Sequence, residues 1–211
     1  MTTYRHMVID GSSSSVDGGG AGTTSYHTTY ISHAIATTDQ INFATDGTIL
    51  ADLISRQSSV IAALSSTVGI TFLFIQGGQN DFITGAAYAS NPSGWLTDFD
   101  SYLESFRSAI SGGANLKNRV KLGIATHNPR ADKLHNSNRN VVDPVLLTWP
   151  RLGKCDFVVD WASDTKYGAD AAGFSASLYQ DGIHPSQAGQ NNMEALYFRP
   201  TLNSYPTGVS S

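Results

Sequence analysis

Residues 70–81 read ITFLFIQGGQND. The first seven are apolar or β-branched up to a closing glutamine, with no polar alternation. Such a run has no solvent face, which predicts a strand inside a parallel sheet covered on both sides. The five that follow, Gly77-Gly78-Gln79-Asn80-Asp81, are rich in turn formers and predict a loop directly after the strand. Similar short runs occur at residues 4–9, 40–44, 120–126 and 156–160. Between them lie helical patterns. Residues 48–64 place Ile49, Leu50, Leu53, Ile54, Val60, Ile61 and Leu64 on one stripe. Residues 95–110 repeat it with Leu96, Phe99, Leu103, Phe106 and Ile110. Residues 186–197 predict a closing helix, and the Thr- and Ser-rich residues 24–36 another. Alternating strands and helices predict an α/β fold with right-handed crossovers and both sheet faces covered. Ligands of such sheets bind beyond the carboxyl ends of the strands, so the loops there are where chemistry is expected.

The chain has 211 residues, enough for one domain, expected over residues 1–200 with a tail or linker at 201–211. A net charge of −4 and scattered cations give no basic footprint for nucleic acid. The loose group Arg130, Lys133 and Arg139 reads as a solvated loop. The single cysteine, Cys155, excludes an intrachain disulfide and reads as a buried structural thiol. No run approaches the ~18 apolar residues of a membrane span. No signal peptide is visible ahead of the first strand. Only 14% of residues are charged, and hydroxyl and amide side chains fill the gap, which favours an extracellular or particle-borne setting. Oligomeric state is not legible.

Four loops carry chemistry. Asp10-Gly11-Ser12-Ser13-Ser14-Ser15 follows the first strand, where a serine at a sharp turn exposes its hydroxyl and frees its N–H for an oxyanion. Hydroxyls with the short Gly-rich stretch at 18–22 also fit a phosphate loop. Thr45-Asp46-Gly47-Thr48 follows the second strand, and Gly47 lets a backbone N–H approach a bound group. In the third loop the Asn80 amide can donate to a developing negative charge. In the fourth, Asp181-Gly182-Ile183-His184-Pro185, a carboxylate three residues before a histidine can bond one ring nitrogen and leave the other to take a proton from a serine. No histidine spacing indicates a metal site, and no cofactor is expected.

These loops resemble the four blocks of the SGNH (GDSL-like) hydrolases. Gly11-Ser12-Ser13 resembles the first block, Gly47 the second, Gly78-Gln79-Asn80-Asp81 the third and Asp181-Gly182-Ile183-His184-Pro185 the last. They fall in the family's order across nearly the whole chain. The departure is in the first block, where Gly-Ser-Ser stands in place of Gly-Asp-Ser. Counting from the strand end favours Ser13 as nucleophile and leaves Ser12 or Ser14 open. The resemblance implies a three-layer α/β/α fold with a five-stranded, flavodoxin-like parallel sheet, and metal-free ester hydrolysis through an acyl-enzyme. It implies Ser13, Asp181 and His184 as the triad, with Ser13, Gly47 and Asn80 at the oxyanion.

The expected substrate is a small-molecule or carbohydrate ester with a small acyl group, such as acetyl. The reason is that Tyr26, His27, Asp81, His127, Asn128 and Arg130 are expected at a polar, substrate-binding rim. Lipase, arylesterase or thioesterase activity on the same fold is the nearest alternative. A non-catalytic flavin- or phosphate-binding module of flavodoxin type would leave Asp181 and His184 without a task. A degenerate, glycan-binding hydrolase would leave the whole set without one.

Overall fold

A computed structural model describes residues 4–17, 23–33 and 37–205. Residues 18–22, most of the expected tail, and the end of the expected 24–36 helix lie outside them. Strands β1 (Tyr4–Gly11), β2 (Thr37–Asn42), β3 (Ile70–Gln76), β4 (Val120–Ala125) and β5 (Phe157–Val159) form one sheet. Their order is β2-β1-β3-β4-β5 and every pairing is parallel. The helices are α1 (Tyr26–His33), α2 (Leu50–Ser66), α3 (Pro92–Gly112), α4 (Lys133–Leu146) and α5 (Gln187–Met193). The last runs through a π turn (Glu194–Phe198) into α6 (Arg199–Asn203).

The quoted stretch is β3, buried at every position between β1 and β4. Its side chains alternate between two cores, as strand geometry requires. Leu73 and Ile75, with Val8, Leu122 and Ile124, meet Leu53 and Val60 of α2, Trp95, Phe99 and Phe106 of α3 and Val142 of α4. Phe72 and Phe74, with Met7 and Ile9, meet Tyr26 and Tyr30 of α1 and Phe198 and Leu202 near the C-terminus. The result is a three-layer α/β/α sandwich. The chain runs from β1 outward to β2, then back across β1 to β3. Loops therefore diverge above β1 and β3, where such folds form a crevice. No helix among the described residues is long and apolar enough to cross a membrane.

Three elements differ from expectation. The second strand begins at Thr37, not residue 40. It is an edge strand that pairs only with β1, from Tyr4–Thr37 to Ile9–Asn42, so it needs no continuous apolar run. The N–H groups of Phe43 and Thr45 continue the pattern to Ile9 and Gly11 carbonyls at 2.8 and 3.2 Å. Second, the supposed solvated loop around Lys133 and Arg139 is helix α4. Its buried face is mixed: His135, Asn136, Asn138 and Arg139 are buried with Val142 and Leu146, while Leu134, Val141 and Val145 are exposed.

Third, residues 201–205, read as the start of a tail, pack against the domain. Leu202 is fully buried, and the buried Arg5 guanidinium reaches the Tyr205 carbonyl at 2.9 Å and the Tyr30 hydroxyl at 2.8 Å. A guanidinium carries five donors and no acceptor, so burial demands such oxygens. Truncation after Pro200 removes the Leu202 side chain and carbonyl partners of a buried charge. It is expected to lower stability by at least about 3 kcal/mol in urea unfolding; an unchanged midpoint would show that residues 201–205 are a tail.

Candidate active site

The first loop is set by a close approach. A Cβ on Gly11 would lie 2.8 Å from the Gln76 carbonyl oxygen, so only glycine fits where β1 ends beside β3. Ser12 then leads into a single 3₁₀ turn, Ser13–Ser15. The four serines have different fates. Ser12 is fully buried. Ser14 is buried and its Oγ accepts from Asn128 Nδ2 at 3.2 Å. Ser15 is buried with its Oγ 2.7 Å from the Tyr26 hydroxyl and 2.8 Å from Gln76 Oε1. Ser13 is the only one of the run that reaches the surface.

The second loop turns at Gly47, whose φ is +73°, in the region that favours glycine. A Cβ there would meet nothing within 4 Å, so the loop faces open space. Arg56 of α2 ties this loop to the first. Its Nε donates to buried Asp10 at 2.6 Å, Nη2 to the Gly11 carbonyl at 3.0 Å, and Nη1 to Thr45 Oγ1 at 3.1 Å. Burial raises the Asp10 pKa; Arg56 and the Tyr102 hydroxyl, which donates at 2.9 Å, oppose that rise.

The third loop places Asn80 half-buried beside the second. Its Nδ2 donates to the Thr48 carbonyl at 3.1 Å, and its Oδ1 accepts from Arg130 Nη1 at 3.1 Å. The turn needs glycine at 78, where φ is +87° and a Cβ would lie 2.1 Å from His127 Nε2.

The fourth loop brings Asp181 onto His184. Oδ1 accepts from the Ile183 and His184 N–H groups at 2.9 and 2.7 Å, and Oδ2 lies 2.6 Å from His184 Nδ1. Partial burial opposes the Asp181 charge. The backbone N–H and ring of His184 and the N–H of Ile183 outweigh it and hold the carboxyl below its usual range. An ionised Asp181 accepts only, so the proton of that bond lies on His184 Nδ1 and Nε2 is the ring nitrogen left to face another partner. The loop is anchored by the Ala131 N–H to the Gly182 carbonyl at 2.6 Å. No hydrogen bond joins His184 to Ser13 among the described residues.

The expected substrate-binding set lies inside the protein. Asp81 is buried and its oxygens accept from the Leu50 N–H at 3.1 Å and from Trp95 Nε1 at 3.2 Å, which caps α2. His127 is buried with Nδ1 2.5 Å from Asp143 and its ring edge-on to Phe82 and Trp95. Asn128 braces Ser14 from below. Arg130 is 6% exposed and donates to the Gln79 carbonyl at 2.5 Å as well as to Asn80. Tyr26 and His27, expected at the rim, are fully buried, and His27 Nε2 lies 2.8 Å from the Ser15 carbonyl. Loops stacked over a sheet bury polar backbone, and these side chains answer it. Arg56 and Asp10 were not singled out in the sequence; nothing in their spacing marks them.

No family model matches the chain, and no curated protein matches its sequence. Solved structures do. A GDSL-like lipase from Bacteroides thetaiotaomicron superposes with a TM-score of 0.67 at 16% identity, covering 94% of this chain and 88% of that one. The native aryl esterase of M. smegmatis gives 0.69 at 14%, covering 95% and 99%. A psychrotrophic esterase from Pseudoalteromonas sp., solved inhibited by monoethylphosphonate, gives 0.61 at 14%, covering 94% and 98%. The fold is that of the SGNH hydrolases. Gly78→Ala forces a left-handed backbone on an alanine whose Cβ collides with His127. The expected cost is about 3 kcal/mol or more by urea unfolding; a wild-type midpoint would contradict this packing.

Proposed function

We propose that the chain is a serine ester hydrolase with Ser13 as nucleophile, His184 as general base and acid, and Asp181 as the group that orients His184. The observation that carries the reading is the 2.6 Å Asp181–His184 pair; Ser13 is the one serine of the 12–15 run at the surface, and Gln190 of α5, the helix that follows His184, donates to the Ser14 carbonyl at 3.2 Å. Ser13 Oγ attacks the ester carbonyl and its proton passes to His184 Nε2. The carbonyl oxygen becomes an oxyanion held by the N–H groups of Ser13 and Gly47 and by Asn80 Nδ2. The C–O bond to the alcohol breaks and the alcohol leaves with the proton from His184. Water then repeats the sequence on the acyl-enzyme, with His184 again taking and returning the proton.

The proposed substrate is a small acyl ester, acetyl being the simplest, on a polar alcohol such as a sugar. The surface beside the oxyanion donors supports this: Thr45, Asp46 and Gly47 are exposed, and a single large apolar side chain, Ile183, is exposed in the His184 loop. A long acyl chain would need a broader apolar wall to remove its methylenes from water, at about 0.8 kcal/mol each.

Ser13→Ala is expected to lower kcat on an aryl acetate by about 10⁴-fold or more, with the thermal midpoint preserved. Wild-type turnover would remove Ser13 from the role. The wild-type chain is expected to prefer acetate to octanoate esters in kcat/KM; the opposite order would overturn the small-acyl reading.

A further inference from the structure

The oxyanion donor assigned to Asn80 depends on which way its amide faces, and two neighbours decide that. A guanidinium has donors and no acceptor, so the atom toward Arg130 Nη1 must be Oδ1. A carbonyl only accepts, so the atom toward the Thr48 carbonyl must belong to the amino group. With one N–H spent on Thr48, the second projects from the same planar amide. The Arg130 nitrogen that fixes Oδ1 also holds the carbonyl of Gln79, the residue before Asn80, at 2.5 Å.

Arg130 is itself held. Its N–H donates to Asn136 Oδ1 at 2.9 Å and its carbonyl accepts from Asn136 Nδ2 at 2.8 Å. The next residue, Ala131, donates its N–H to the Gly182 carbonyl in the loop of the Asp181–His184 pair. Residues 130–131 therefore touch both halves of the site, the donor loop through a side chain and the base loop through the backbone. Burial pulls the Arg130 pKa down from its usual value, and Asp132 and Asp181 oppose this.

We infer that Arg130 is a positioning residue for catalysis, which fixes the Asn80 amide with its free N–H toward the oxyanion and does not bind substrate. The inference rests on the proposed esterase reading. Loss of Arg130 frees the amide to rotate or flip, and an ångström of misplacement can cost about 10²-fold in rate. The loss falls on kcat, because the contact it preserves is realised in the transition state.

The test is a double-mutant cycle on an aryl acetate, with thermal unfolding as the fold control. Arg130→Met is expected to lower kcat by about 10- to 100-fold with KM nearly unchanged. Asn80→Ala alone is expected to lower kcat by about 10²–10³-fold. In the Asn80→Ala background, Arg130→Met is expected to cost under about threefold more, because its target is gone. Arg130→Lys keeps a charge and a donor, and is expected to lose less in the same cycle; it carries the test if the methionine variant does not fold. Equal losses in both backgrounds, or a raised KM at constant kcat, would overturn the inference and leave the esterase reading standing. Wild-type kcat in Asn80→Ala would instead overturn the oxyanion assignment, and the role of Arg130 with it.

Discussion

Asp10, next to last in β1, is a fully buried carboxylate, and such a charge is tolerated only with a partner. The partner is Arg56 at 2.6 Å, one helix away. Leaving either group unpaired would cost about 3–5 kcal/mol, so the pair ties the end of β1 to α2. The same guanidinium spends its other donors on the Gly11 carbonyl and on Thr45 and Thr48 hydroxyls. One ion pair thus fixes the serine turn against the Gly47 loop. Asp81 repeats the device, tying the Asn80 loop to the first N–H of α2. The crevice between β1 and β3 is generic to the topology; these buried charges give it a particular shape.

The layers were legible because β3, α2 and α3 obey simple periods. The buried run of β3 has no polar face, and α2 and α3 carry single apolar stripes. The Asp181–His184 contact was legible from the three-residue spacing of a carboxylate and a histidine before a helix. The edge strand β2 was shifted because TTDQIN pairs on one side only and carries little apolar signal. Helix α4 was missed because its buried face is mostly polar, with only Val142 and Leu146 as apolar members. Periodicity finds helices that bury hydrocarbon, and α4 buries His135, Asn136, Asn138 and Arg139.

The same blind spot governs the site. Asp81, His127, Asn128 and Arg130 read as a polar rim because loop side chains usually face solvent. Here the loops lie over one another, and each turn exposes carbonyls and N–H groups to the interior. Asn128 on Ser14 and Arg130 on the Gln79 carbonyl satisfy buried groups. The four serines illustrate the point. Composition cannot rank them, whereas burial encloses Ser12, Ser14 and Ser15 and leaves Ser13 at the surface.

The account rests on Ser13 being the reacting serine. Mass-spectrometric mapping after treatment with a serine-directed phosphonate tests this most directly. The expected result is one stoichiometric adduct on Ser13, abolished by His184→Ala in a folded protein. An adduct on another residue that tracks loss of ester hydrolysis, or hydrolysis that persists with Ser13 fully modified, would contradict it.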